Sequence, residues 1–150
     1  MVKAILLTAG ILACATAASA ADKTVYFRAP GAAGASLPFS DATLVGNILY
    51  LSGQIGNVPG QARLVEGGFP AEAKQAMENI GEVLKRRGLG YDDVFKCTVM
   101  LADMKNWPQF NQIYLTYFKP ERLPSRSAFG ASGLALGAAL EIECWANTAH

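Results

Sequence analysis

Three charged side chains near the C-terminal end carry the most chemistry in this sequence: Arg126, Glu141 and Glu143. Arg126 lies in Pro124-Ser125-Arg126-Ser127, and the glutamates lie in Leu140-Glu141-Ile142-Glu143. A planar guanidinium grips a carboxylate through two parallel hydrogen bonds. Glu141 and Glu143 are two positions apart, so on a strand they point to one face. Like charges on one face repel, and burial then raises the pKa of one of them. Such a carboxyl can orient a water or pass a proton. The same residues also suit an Arg–Glu ion pair that locks a subunit interface, and from residue types alone that is the simpler reading. Between them runs the uncharged stretch GASGLALGAA, Gly130 to Ala139. It is no phosphate cradle, because it lacks a Gly-Lys-Ser/Thr ending and leads into a strand rather than a helix. A glycine-rich loop between strands can still turn tightly and pass close to other backbone.

Other chemistries are poorly supplied. The single histidine is the terminal residue, His150. With no internal histidine and no cysteine cluster, neither a zinc site nor a His-based nucleophile system is expected. Residues 1–20 read as a secretory signal peptide: Lys3, an apolar run from Ala4 to Ala15, then the small-x-small site Ala18-Ser19-Ala20. The apolar run is too short for a membrane anchor, so no membrane association is expected after cleavage. Cleavage removes Lys3 and leaves 12 Lys+Arg against 12 Asp+Glu, from 13 and 12 in the whole chain. A near-neutral chain has no basic field for nucleic acid. Export to the periplasm or medium permits a disulfide. Even so, Cys97 and Cys144 read as two small buried residues rather than as a bonded pair.

These residues need elements to hold them. Residues 21–36 read as an N-terminal tail and 37–150 as a single domain. Gly46-Asn47 between Thr43-Leu44-Val45 and Ile48-Leu49-Tyr50-Leu51 predicts a hairpin. Gly53 to Gly68 reads as a loop. Ala73, Met77, Ile80 and Leu84 share one helical face, predicting a helix over Phe69 to Arg87 that stops at Gly88. Val94 to Leu101 is a strand. A second helix follows, with Asn106 as its cap, Pro108 in its first turn and Pro120 ending it. Its apolar face is Phe110, Ile113, Tyr114 and Tyr117. Ser127 to Phe129 and Leu140 to Ala146 are the last strands. The class is α+β, with two helices on one face of a mixed sheet. The opposite face has no helix left to cover it, which predicts burial against other copies of the chain.

The pattern resembles the RidA (YjgF) family. Pro124-Ser125-Arg126-Ser127, Phe129 and Leu140-Glu141-Ile142-Glu143 carry most of the likeness. "ILYLSGQIG" (Ile48 to Gly56) and "NQIYLTYF" (Asn111 to Phe118) add to it, in the same order across residues 37–146. The resemblance implies a chorismate-mutase-like fold and a homotrimer with three inter-subunit clefts. It also implies hydrolysis of reactive enamines and imines such as 2-aminoacrylate to 2-oxo acids and ammonia, with no metal or organic cofactor. Carried over by position, Arg126 holds the substrate carboxylate. Glu141 orients the attacking water with the backbone carbonyl of Ala128, and Phe39, Ser52 and Asn111 line the cleft.

The chain departs from this pattern in places. Phe39 stands where the deaminating members usually have tyrosine, Ala128 where a cysteine is frequent, and GASGLALGAA is smaller than the usual loop. The loop is where a change in substrate preference is expected. Two alternatives fit the same residues: a module that binds a small carboxylate without turnover, and an amide or carbamate hydrolase.

Overall fold

The computed structural model describes residues 23–29, 31 and 37–149. The expected signal peptide lies outside the described residues. Seven strands form one sheet: β1 (Val25–Phe27), β2 (Ala42–Val45), β3 (Ile48–Leu51), β4 (Gln54–Ile55), β5 (Val94–Leu101), β6 (Ser125–Gly130) and β7 (Leu140–Asn147). The order across the sheet is β1-β2-β3-β7-β5-β6, with β4 also paired to β7. Only β5 and β6 run parallel, which requires the crossover between them. Two helices, α1 (Gly68–Lys85) and α2 (Trp107–Leu115), supply the second layer. The mixed α+β fold is thus the one expected. No helix among the described residues is long and apolar enough to cross a membrane.

The β2–β3 hairpin forms where Gly46-Asn47 predicts it. Gly46 takes φ 57°, the left-handed value that a primed turn needs at its first central residue. Helix α1 ends close to the expected stop. Gly88 takes φ 73°, and the Leu89 N–H reaches back to the Leu84 carbonyl at 3.1 Å. Met77, Ile80, Val83 and Leu84 from α1 and Phe110 and Tyr114 from α2 pack on Leu49, Val99, Leu101, Leu140 and Ile142 of the sheet. Burying one such aliphatic side chain stabilises the fold by about 1.5–3 kcal/mol.

Alternation sorts the sheet into two faces. In β5, Cys97, Val99 and Leu101 are buried under the helices, while Phe95 is 40% exposed on the other side. In β7, Leu140, Ile142, Cys144 and Ala146 face the helices, and Glu141, Glu143 and Trp145 face away. Tyr50 and Trp145 meet edge to face on that helix-free side.

Some expectations are corrected. Residues 21–36 are not simply a tail, because Val25–Phe27 pairs antiparallel with β2 and the Arg87 guanidinium sits 3.9 Å over the Phe27 ring. Three residues make too short a pattern to register as a strand without that partner. The Gly53–Gly68 loop contains β4, and buried Asn79 holds it by donating to the carbonyls of Ile55 and Asn57 at 3.0 and 3.1 Å. Asn106 occupies the α2 cap position but makes no side-chain cap bond. Asp103 does the local capping, accepting from the Lys105 N–H at 2.9 Å. Helix α2 stops at Leu115, and Pro120 opens a separate short turn.

Cys97 and Cys144 form a disulfide, against the expectation of two separate thiols. The reason is register. The β5–β7 ladder places them directly opposite each other, with Cα atoms 4.1 Å apart. The sequence shows that each lies in a strand but not which residue it faces.

Candidate functional site

Arg126 lies on β6, the last strand of the sheet. It pairs in register with Cys97, whose side chain is under the helices, so Arg126 points to the helix side. There it meets α2. Its Nη2 donates to the Asn111 side-chain oxygen at 2.6 Å. Its guanidinium carbon lies 4.4 Å from the Tyr114 ring centre and 4.6 Å from that of Trp107. Trp107, Asn111 and Tyr114 are spaced four and three along α2, which puts them on one helical face. With Leu115, Leu123, Pro124 and Arg126 they line a cavity of about 360 Å³.

Burial lowers the Arg126 pKa from its ordinary value, and the neighbouring Tyr114 opposes that shift. The guanidinium keeps its charge at neutral pH. Burial pushes the Tyr114 hydroxyl up to about 12, with the Arg126 charge pulling the other way. That hydroxyl is buried and has no hydrogen-bond partner among the described residues. Among the described residues, no carboxylate forms a salt bridge with Arg126. A larger cavity of about 440 Å³ lies beyond Pro124, beside Asp92 and Arg122. Asp92 there is already paired with Lys119 at 2.5 Å.

Glu141 lies on β7, opposite Met100 of β5 and Ile55 of β4. Its carboxylate covers Gly53, where an added Cβ would fall 1.9 Å from Oε1. Only glycine leaves that space. Just before β7, the Ala139 N–H donates to Glu72 Oε2 at 2.9 Å, fixing the end of the GASGLALGAA loop. That loop contains a short turn over Ala135–Gly137 and does not line the Arg126 cavity. Ser52 precedes Gly53, and its hydroxyl donates to the Ser40 carbonyl at 2.6 Å. Phe39 is next to Ser40 and is half exposed.

The expected site residues therefore fall into two groups. Arg126, Asn111 and Ala128 belong to the β6–α2 side. Glu141 points to the helix-free face, with Ser52 and Phe39 on the chain segments beside Gly53. Arg126 and Glu141 lie on opposite faces of the sheet, with β5 between their strands. One chain does not bring them together.

A family profile described as Endoribonuclease L-PSP matches residues 29–148. The human protein named 2-iminobutanoate/2-iminopropanoate deaminase is 46% identical over 116 residues, covering 77% of this chain and 82% of the human one. The chain belongs to the RidA (YjgF) family. A solved RidA from an Antarctic Psychrobacter is 31% identical with a TM-score of 0.70, covering 85% of this chain and 98% of that one. Escherichia coli TdcF, solved with bound serine, is 28% identical with a TM-score of 0.70, covering 81% and 94%.

Reading the sequence for RidA-type residues passes over Trp107, Tyr114 and Gly53. The signal for the first two was present in their helical spacing with Asn111, but an aromatic stripe reads first as core. Tyr114 is in fact both. Gly53 stands inside Ser-Gly-Gln, yet its reason, the Glu141 carboxylate above it, comes from a strand almost ninety residues away. Among the described residues no group of three metal-binding side chains gathers.

Burial raises the Glu141 pKa above the ordinary carboxylate range, and the Glu143 charge adds to the rise. The folded state then holds the proton more tightly than the unfolded chain. The stability this contributes is present below the unfolded pKa and is lost as pH rises through the raised value. Catalysis by an ionised Glu141 has the opposite dependence and fades as pH falls. Glu143→Gln removes the like charge, so the acid limb of the pH–rate profile moves to lower pH. An acid limb that stays in place in that variant would show that Glu141 does not set it.

Proposed function

We propose that this protein hydrolyses 2-imino and enamine acids to 2-oxo acids and ammonia, in clefts between the copies of a homotrimer. The observation that carries the reading is Arg126: a charged guanidinium in a cavity, oriented by Asn111 and stacked on Trp107 and Tyr114, without a carboxylate partner among the described residues. An anionic substrate supplies what is missing. The name of the human relative and the serine held by TdcF support a small acid as that substrate.

Arg126 grips the substrate carboxylate. The imine nitrogen is protonated, and a water oxygen bonds to the carbon of the C=N group. Glu141 orients that water together with the backbone carbonyl of Ala128 on the sheet-edge strand. The carbinolamine so formed breaks its C–N bond, and the nitrogen leaves as ammonia. The substrate is intrinsically reactive, so placing it and the water accounts for much of the acceleration.

This division of labour needs Glu141 from a second copy, because within one chain it faces away from Arg126. The helix-free face supports such an assembly: it presents Phe95, half-exposed Phe129, Tyr50 and Trp145. The disulfide supports the expectation of export, since such bonds persist in oxidising compartments. A mature N-terminus at Ala21, read by mass spectrometry of the exported chain, is the corresponding test.

The direct assay generates 2-aminoacrylate in situ and follows 2-oxo acid and ammonia against spontaneous hydrolysis. Enhanced release is expected. Phe39 favours one competing reading, capture without turnover, because it brings no hydroxyl to the cleft. Calorimetric binding of a 2-oxo acid with no rate enhancement would establish that reading instead.

A further inference from the structure

Building on the deaminase reading, we infer that helix α1 sets the place of the Glu141 carboxylate through two side chains, Glu72 and Asn79, which are positioning residues for the reaction. Glu141 stands beside Ile55 on the β4–β7 ladder, and Gln54 stands beside Ile142. Strand β4 has only these two residues, too few to fix its own position on β7. Gly53 immediately precedes it, and the Glu141 carboxylate rests on Gly53 with no room for a Cβ. Whatever holds β4 against β7 therefore holds the floor under Glu141.

Helix α1 grips both strands. Buried Asn79 donates to the carbonyls of Ile55 and Asn57 at 3.0 and 3.1 Å, and its own oxygen accepts from the Gln75 amide at 2.9 Å. Glu72 Oε2 accepts from the Ala139 N–H at 2.9 Å, two residues before Glu141. Glu72, Gln75 and Asn79 are spaced three and four, so they form one stripe along the helix. The backbones also meet there: a Cβ added to Gly56 would fall 2.5 Å from the Glu72 Cα. All these contacts lie within one chain. Arg126, on β6, takes part in none of them.

The division predicts a split in the kinetics. Arg126 holds the substrate, so loosening the α1 grip leaves substrate binding alone and misplaces the group that orients water. Displacements of about 1 Å far from the chemistry are enough to slow a reaction.

The test compares Glu72→Ala with Glu72→Gln in the full chain. Alanine keeps the helix, and glutamine keeps an oxygen to accept from the Ala139 N–H. With 2-aminoacrylate generated in situ, Glu72→Ala is expected to lower kcat about tenfold and to leave KM within about twofold. Glu72→Gln is expected to keep kcat within about twofold of the unmodified protein. Asn79→Ala, made separately, lowers kcat in the same way from the β4 side. A second readout needs no turnover: the Glu141 carboxyl is titrated by carbon-13 NMR, its signal identified with Glu141→Gln. Burial raises that pKa, so a displaced Gly53 floor lets water in and lowers it in Glu72→Ala but not in Glu72→Gln. Glu143 on β7, Lys96 on β5 and Tyr50 on β3 share the helix-free face and are unaltered. If kcat is unchanged in Glu72→Ala, falls equally in Glu72→Gln, or falls only together with a matching rise in KM, the inference is overturned and the deaminase reading stands. No turnover by the unmodified chain overturns that reading, and the Glu141 titration then decides this inference by itself: a lowered value upholds it and an unmoved one overturns it.

Discussion

Co-refolding Arg126→Ala chains with Glu141→Gln chains restores activity that neither variant has alone. Each single variant is expected to be weak. Losing a bidentate charged contact to the substrate carboxylate removes about 3 kcal/mol, or about a hundredfold in kcat/KM. Losing a carboxylate that positions or activates water lowers the rate by about a hundredfold or more. The recovery follows from the sheet. Arg126 points under α2 while Glu141 points to the opposite face, with β5 between their strands. If one cleft takes Arg126 from one copy and Glu141 from its neighbour, random equal mixing leaves about one cleft in four with both residues intact. Recovery near a quarter of the unmodified activity is therefore expected. No recovery, with mixed oligomers demonstrated by mass spectrometry, would sink the two-copy site.

The second large effect is on stability. The Cys97–Cys144 bond closes a segment with a sequence separation of 47 residues and clamps β5 to β7 at the middle of the sheet. Cross-linking of that span stabilises a domain by about 4 kcal/mol, mainly by restricting the unfolded chain. Cys97→Ala and Cys144→Ala variants are expected to melt about 10 °C below the unmodified protein at matched concentration. Cys97 is also the register partner of Arg126, so the clamp holds the strand against which the guanidinium is placed. Both sulfurs are buried, which makes reduction slow in the folded state. Intact-mass measurement after alkylation under denaturing, non-reducing conditions checks the bond itself. Free thiols there, or variants that melt with the unmodified protein, would remove this account.

The two results divide along the line between local pattern and register. Local pattern was legible. Helix α1 follows from the spacing of Ala73, Met77, Ile80 and Leu84, the hairpin from Gly46-Asn47, and β5 from its run of Val, Phe, Thr and Cys. Each rests on residues within a few turns of one another. Arg126 and Glu141 also stand out by type and order, and so does the family they resemble. Strand β1 was missed because three residues carry no periodicity, and what makes them a strand is the ladder to Ala42–Leu44.

The candidate site shows the same limit. Asn111 was expected near Arg126, and the contact exists at 2.6 Å. Tyr114 was read as part of the apolar face of α2 and Trp107 was not singled out, although α2 turns both toward the guanidinium. The sequence by itself determined the fold class, the charged residues available for chemistry and their spacing, because these depend on side-chain type and short-range periodicity. Only the tertiary structure decided that Cys97 meets Cys144, that Gly53 leaves room for the Glu141 carboxylate, and that Arg126 and Glu141 lie on opposite faces. Each of these depends on which rung of one strand stands beside which rung of another, and a shift of one residue would reverse every face.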